Sequence, residues 1–476
     1  MGCPGLLTPS FKLSSHSLSS AQNIKGRDVI GRFLSAFATA ADAPLRASQA
    51  EVDALYKRHR WRVLLAITLG YGLIYTCRLA IGLVKPSMID AGVFTPAQFG
   101  LIGSAFFYTY ALGKLTNGFL ADHANMRTFL PLGFAMSALC NFGMGFADTV
   151  LMAAILWGVN GWFQGFGAPG SVVALSSWFS NRERGRNYGI WITSHSFGEG
   201  LTFFAIGWAV ATFGWHFGYF VPAAIGLATA VMMYALMRDR PRTMGLPTVA
   251  DWKNDHVAES DGNKSRSRLA LQFSVLSYPT IWILGLSSAA NYVTRYAINS
   301  WGPLYLQEAR GFDEVASGTM LMISTLAGIV GSVGYGWISD RWFGARRPPA
   351  NLIFGICEIA GLALIFFGPA NMPTLIAGMI LFGLGLAGLV ASLGGLFAVD
   401  ICPKRATGAA MGVIGIFSYL GAALQENISG ALLERHSVMV GADRVYDFEP
   451  AIWFWLGSSV VSLALAATLW RAKLRD

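Results

Sequence analysis

Apolar blocks close to 20 residues long recur along the chain, separated by short polar turns. They run near 62–84, 96–120, 128–147, 150–178, 187–212 and 216–236. After a polar interval they resume near 276–306, 314–338, 351–368, 373–399, 406–432 and 449–470. About 20 residues at ~1.5 Å each match the ~30 Å hydrocarbon core of a bilayer, so the pattern predicts twelve membrane-spanning helices. A chain in lipid must satisfy its backbone polar groups internally, and the expected fold class is an all-α membrane protein. The blocks at 150–178 and 276–306 exceed one crossing and are expected to tilt or run beyond the bilayer.

The spans form two sets of six, and the sets repeat. Tyr75-x-x-Arg78 lies in the first span of one set and Tyr292-x-x-Arg295 in the first span of the other. A Gly-x-x-x-Asp signature follows each second span, as Gly118…Asp122 and Gly336…Asp340, at nearly the same distance from its arginine. Parallel repeats predict two pseudo-symmetric six-helix bundles with a ligand site near the midplane between them. The expected division is a Ser-rich, disordered cytoplasmic tail at 1–61, an N-terminal bundle at 62–236, a polar cytoplasmic linker at 237–275 and a C-terminal bundle at 276–476.

Composition sharpens this picture. Hydrophobic residues are 54% of the chain and charged residues 13%, which excludes an ordinary soluble domain. The net charge of +9 is unevenly placed: Arg127, Arg182–Arg186, Arg238–Arg242, Arg346–Arg347 and Lys404–Arg405 fall on one side. The other side holds only Lys85, Arg310, Arg435 and Arg444. The positive-inside rule then puts both termini in the cytoplasm, and the charge gives no reason to expect a nucleic-acid partner. Five scattered cysteines without CxxC spacing imply neither a disulfide framework nor a metal site. No GxxxxGK[ST] loop is present, so ATP is not expected to drive the protein. No catalytic arrangement and no cofactor is expected.

Arg78, Lys114 and Arg295 sit inside spans. A cation at the bilayer centre costs about 2.5–3.5 kcal/mol even on the lenient insertion scale, so these residues are expected to face a cavity and bind an anion. Guanidinium forks two hydrogen bonds onto phosphate oxygens. Tyr75 and Tyr292, three residues before each arginine, share its helix face, and Tyr71 lies one turn further back. The competing reading pairs each arginine with an intramembrane acid, for which Glu199, Glu358 and Glu426 are available. Lys114, four residues after Tyr110, fits either a third anion contact or a gate charge. His195 and Glu199 are one turn apart and fit either mutual satisfaction or a proton site. Asp122 with Arg127, and Asp340 with Arg341, Arg346 and Arg347, read as cytoplasmic ion-pair gates, with Asp400, Lys404 and Arg405 as further members.

These residues carry a resemblance. Leu69-Gly-Tyr-Gly-Leu-Ile-Tyr-Thr-Cys-Arg78, Tyr110-Ala-Leu-Gly-Lys114, Trp162-Phe-Gln-Gly-Phe-Gly167, Arg182-Glu-Arg-Gly185 and Arg295-Tyr-Ala-Ile-Asn-Ser-Trp301 resemble the organophosphate:phosphate antiporter family of the major facilitator superfamily. The Gly245-Leu-Pro…Asp251-Trp-Lys-Asn-Asp255 stretch is most similar to its hexose-phosphate sensor/transporter branch, beside the glycerol-3-phosphate branch. The resemblance implies an alternating-access antiporter of a bacterial inner membrane, and a monomer is expected. It would exchange an organophosphate for inorganic phosphate, with Arg78 and Arg295 on the phosphate. It implies substrate-proximal roles for Tyr71, Tyr75, Tyr110, Lys114, His195 and Tyr296. Leu79, Glu199, Ser300 and Gln425-Glu426-Asn427 depart from the family pattern and make the cavity less positive. Two alternatives stay open: a sugar-phosphate sensor signalling to a membrane histidine kinase, and a proton-coupled carrier of another organic anion or a phosphodiester, acting through Glu199 or Glu426.

Overall fold

The structure is a computed structural model that describes residues 37–46, 48–255, 274–344, 346–401, 407–441 and 443–471. The first rod is α1 (Gln49–Leu73) followed by α2 (Thr76–Asp90); then come α3 (Pro96–His123) and α4 (Met126–Met144). The fourth rod joins α5 (Val150–Gln164) to α6 (Gly167–Trp178), and α7 (Asn181–Phe213) and α8 (Phe217–Leu236) complete the first set. A short α9 (Val249–Lys253) precedes the second set. There α10 (Pro279–Tyr296) passes through a π turn at Ala297–Trp301 into α11 (Gly302–Glu308), followed by α12 (Glu314–Phe343) and α13 (Arg347–Phe367). The tenth rod is α14 (Met372–Ala391), a π turn at Ser392–Leu396 and α15 (Phe397–Ile401). Finally α16 (Thr407–Arg435), a hairpin of β1 (Ser437–Val440) with β2 (Asp443–Tyr446), and α17 (Glu449–Thr468) close the described fold. Among the described residues, seven helical stretches are long and apolar enough to cross a membrane by length and composition.

Interruptions fall on the first, fourth, seventh and tenth rods, one in each group of three. Irregular backbone at membrane depth survives only where protein or a cavity satisfies it, so these rods are the ones expected to face the interior. The break in the first rod shows how. At Ile74–Tyr75 the helix tightens, with Tyr75 N–H bonding to Gly72 and Cys77 N–H to Ile74. The Cys77 carbonyl accepts from Asn141 Nδ2 and Asn160 Nδ2, both at 2.9 Å. The Ile74 carbonyl accepts from Gln164 Nε2 at 3.3 Å. Buried amides on α4 and α5 therefore hold the segment that carries Arg78.

The halves meet at two long helix crossings, α3 against α16 and α7 against α12, besides the contact of α2 with the Ala297–Trp301 turn. They are tight at one end only. A Cβ added to Gly100 would fall 2.6 Å from the Glu426 carbonyl, and one on Gly430 would fall 2.5 Å from that of Pro96. Gly207 faces Glu314 and Gly318 faces Phe203 in the same way. Toward the other end, a Cβ on Gly118, Gly185, Gly334 or Gly412 would meet nothing within 4 Å. The halves thus close at the end holding the α2–α3 turn and separate at the end holding the basic loops.

The α1 helix begins at Gln49, inside the segment expected to be a disordered tail. Residues before it pack: Asn125 N–H bonds to Phe37 at 2.8 Å and Arg46 N–H to Gly245 at 2.9 Å. The start of the 237–275 segment is likewise docked on the first bundle. Trp252 stacks on Tyr56 at 4.1 Å, and its Nε1 donates to Asp53 at 2.6 Å. Asp239 accepts from Met126 N–H at 3.1 Å; burial raises its carboxyl above the ordinary range. The remainder of both calls, 1–36 and 256–273, lies outside the described residues.

Candidate functional site

Arg78 enters the interior two residues into α2 and is only 4% exposed. Its Nη2 donates to Tyr296 Oη at 2.7 Å. Its guanidinium lies 4.4 Å from the Tyr110 ring centre, 5.4 Å from Tyr75 and 5.5 Å from Tyr419. Among the described residues no carboxylate pairs with it, and its Nε finds no hydrogen-bond partner. Arg295, at the end of α10, is placed differently: its Nη2 meets Glu199 Oε2 at 3.0 Å. The other oxygen of Glu199 accepts from Asn299 Nδ2. Tyr296 stands between the arginines, its ring centre 5.9 Å from the Arg78 guanidinium and 5.6 Å from that of Arg295.

Tyr71, Tyr75, Tyr110, Lys114, Tyr292 and Tyr296 join the same cluster. Tyr71 meets Tyr75 edge-on at 5.6 Å, and Tyr292 lies 5.9 Å from Tyr296. Lys114 Nζ sits 5.1 Å above Tyr419 and 6.0 Å from Tyr110, and makes no ion pair among the described residues. Of the two openings for Lys114, the geometry offers cation–π contacts and no acid. His195 packs against Tyr75 at 5.6 Å and turns its Nδ1 onto the Ile192 carbonyl. Among the described residues His195 and Glu199 share no hydrogen bond or ion pair; the carboxylate instead reaches across the interface to Arg295 and Asn299. Glu358 is buried between Asn291 (3.1 Å) and Ser459 (2.8 Å), with no cation paired to it among the described residues.

Lys85 corrects the sequence reading. The charge pattern places it on the outer side, beyond the 62–84 span, whereas it lies within α2 and is fully buried. Its Nζ bonds to Glu426 at 2.8 Å and Ser300 at 2.5 Å and sits 3.8 Å over Trp301. Gly103 makes room for this acid, since a Cβ there would fall 2.8 Å from its carboxyl carbon. Glu426 is therefore a partner of Lys85 and leaves both arginines untouched. The space between Arg78 and this pair is only about 10 Å³, room for about one water, so the site is narrow on that side. The cue was present in the sequence: Lys85 follows Arg78 by seven residues and returns to the same helix face. Tyr419 and Asn299 were also missed. Asn299 follows Arg295 by one turn, whereas Tyr419 reaches the cluster only through the packing of α16.

The gate residues are redistributed too. Asp340 pairs with Arg347 at 2.9 Å, and Arg347 also binds Asp400 at 2.6 Å. Arg341 instead lies 5.9 Å from the Trp337 ring. Asp122 is exposed, and among the described residues it forms no ion pair with Arg127, whose guanidinium packs 4.8 Å from Tyr234. Lys404 and Arg405 lie outside the described residues.

Paired, interrupted rods around a central arginine cluster match a known architecture in sequence as well. The Major Facilitator Superfamily model matches residues 67–425. The chain belongs to the major facilitator superfamily. Similar curated proteins include the membrane sensor protein UhpC of Salmonella typhimurium, 33% identical over 90% of this chain and 93% of its own. The glycerol-3-phosphate transporter of Bacillus subtilis is 30% identical over 90% of this chain and 96% of its own. A probable hexose phosphate transport protein of Chlamydia pneumoniae is 28% identical over 88% and 91%. Among solved structures, a bacterial Spinster homologue in an inward-facing, unoccupied conformation superposes with a TM-score of 0.69 at 16% identity, covering 87% of this chain and 96% of its own. That likeness is one of fold. As a facilitator-superfamily member, the chain is an integral membrane protein of a transporter family whose curated relatives here are bacterial.

Proposed function

We propose that this protein is an alternating-access antiporter exchanging an organophosphate of the sugar-phosphate or glycerol-phosphate type for inorganic phosphate. One observation carries the reading: Arg78 is a buried guanidinium ringed by tyrosines with no carboxylate among the described residues. A desolvated cation without a counter-charge is costly, and a phosphate between Arg78 and Lys114 would neutralise it. Tyr75, Tyr110, Tyr296 and Tyr419 would orient the oxygens. The positive-inside rule makes the separated end cytoplasmic, so the site would load from the cytoplasm in this conformation. An anion that neutralises the cluster would lower the barrier to closing that end and opening the other. Exchange of one anion for another needs no ATP.

The test is counterflow. Proteoliposomes filled with phosphate should take up labelled phosphate, and organophosphates should compete. Arg78→Lys keeps the charge but loses the fork; losing one or two charge-assisted hydrogen bonds of about 1.5–3 kcal/mol each should weaken apparent affinity roughly 100-fold. Unchanged affinity in that variant would remove the reading. The similarity to a membrane sensor protein supports a second reading, a receptor for the same ligand that signals to a membrane kinase. It would appear as ligand binding, lost in Arg78→Lys, without any counterflow.

A further inference from the structure

We propose that the cleft between α1 and α7 is a binding site for one anionic phospholipid of the cytoplasmic leaflet. Two adjoining cavities meet there and share Arg186. The first, about 620 Å³, lies at the level of the basic loops and is lined by Lys57, Arg60, Trp61, Arg186, Trp252 and Lys253. The second, about 810 Å³, continues along the helices and is lined by Leu69, Leu73, Ile190, Phe197 and Leu201, with Thr68 and Thr193 beside them.

The charge of the upper cavity is not balanced within the protein. Arg60 is bound to Glu183 at 2.5 Å. Asp53 accepts from Trp252 at 2.6 Å and from Gln49 at 3.0 Å. Lys57, Arg186 and Lys253 are exposed and make no ion pair among the described residues. Three cations around one concave surface suit a phosphodiester headgroup, and each basic residue near an anionic leaflet contributes about 1 kcal/mol. Trp61, 64% exposed at this level, is the interfacial aromatic such a position favours.

The lower cavity suits the acyl chains. From Gly189 to Leu201 along α7 it extends about 18 Å, close to the ~15 Å depth of one leaflet's hydrocarbon. Its walls are exposed apolar side chains, with Phe197 at 59% and Leu201 at 47%. On its wall, Leu69 stands roughly 160° around α1 from Tyr71, which faces the arginine cluster. A basic head cavity continuous with an apolar trough has the amphipathic form of a phospholipid, whereas a free anion would have no use for the trough.

The experiment is native mass spectrometry of the purified full chain released from nanodiscs of equal phosphatidylglycerol and phosphatidylcholine. One phosphatidylglycerol should be retained preferentially. The combined Lys57→Gln, Arg186→Gln, Lys253→Gln variant should weaken its retention roughly 100-fold. Gly189→Leu, built where a Cβ meets nothing within 4 Å, should fill the trough and lower retention at least tenfold, with an unchanged thermal melt. Millimolar inorganic phosphate should not displace the lipid. Equal retention of the two lipids, displacement by phosphate, or a Gly189→Leu protein that keeps its lipid would each overturn the proposal.

Discussion

Arg78 and Arg295 occupy matching positions in a duplicated sequence, yet the folded protein gives them opposite surroundings. Arg78 is ringed by Tyr75, Tyr110, Tyr296 and Tyr419, with no acid within ion-pair distance among the described residues. Arg295 is held by Glu199 at 3.0 Å from the other half. The repeat keeps the cations at matching places on their helices, while the residues that neighbouring helices present decide how each is balanced. Under the proposed function, the unbalanced charge that attracts phosphate comes from Arg78 with Lys114. Arg295 would add to it only when Glu199 swings away. The same crossing recurs one layer outward, where Lys85 of the first half meets Glu426 of the second at 2.8 Å. Two ion pairs of opposite polarity thus lace the closed end of the interface.

The difference can be broken most severely at Arg295. Arg295→Gln leaves Glu199 buried beside a neutral amide, and stranding one partner of a buried pair costs about 3–5 kcal/mol. Thermal melts in detergent should fall sharply for Arg295→Gln and recover most of the loss when Glu199→Gln is added. Arg78→Gln strands no acid and should melt close to the unaltered protein. Equal destabilisation by the two arginine substitutions would show that their surroundings do not differ in energy.

Lys85 and Glu426 sharpen the comparison by testing whether the outer pair is structural. Lys85→Met alone should destabilise by about 3 kcal/mol. The double substitution Lys85→Met, Glu426→Leu replaces the pair with apolar volume and should be neutral or stabilising. A double variant as unstable as the single one would mean that Ser300 and Trp301 need the charge for another reason.

How much of this was open to sequence reading depends on the range of the interaction. The spans were legible because a block of about 20 apolar residues is a local signal with one physical cause. The arginine–tyrosine spacing was legible because it stays on one helix face. Partner choice was not, because Glu199 lies as close along its helix to His195 as the His–Glu reading required, and only the docking of the halves directs it to Arg295. Lys85 falls just past the apolar block at 62–84, which places it beyond the span; the structure continues the helix through Pro86 to Asp90. Residues near Tyr56 seemed unstructured because their partner, Trp252, lies almost 200 positions away, across the whole first bundle.

Tyr419 offers a milder test, since its ring lies beside both unpaired cations, 5.5 Å from the Arg78 guanidinium and 5.1 Å from Lys114 Nζ. Tyr419→Phe keeps the ring that packs 4.5 Å from Tyr110 and removes only the hydroxyl. One hydrogen bond to a bound phosphate is worth about 1 kcal/mol, so phosphate affinity should fall roughly fivefold with no change in melting. Tyr292→Phe, beside the balanced Arg295, should have a smaller effect. The reverse order, measured by competition against labelled phosphate, would move the anion toward the second half.

The smallest effect belongs to an ion pair outside the interface, which calibrates the others. Glu183 at the start of α7 binds Arg60 at 2.5 Å with its side chain 30% exposed. Burial pushes its carboxyl up, but the hydrogen bond and charge of Arg60 outweigh that and hold it below the ordinary glutamate value. A carboxyl lowered on folding stabilises above its unfolded pKa and loses that contribution as the pH falls through its folded one. Solvent screening limits the pair to about 0.5 kcal/mol. Glu183→Gln should therefore lower the melting temperature slightly at pH 7, and the gap should close as the pH falls below the ordinary glutamate range. A gap as wide as that of Arg295→Gln, or one that persists in acid, would mean that Glu183 stabilises through packing, and the contrast between interface and peripheral ion pairs would lose its baseline.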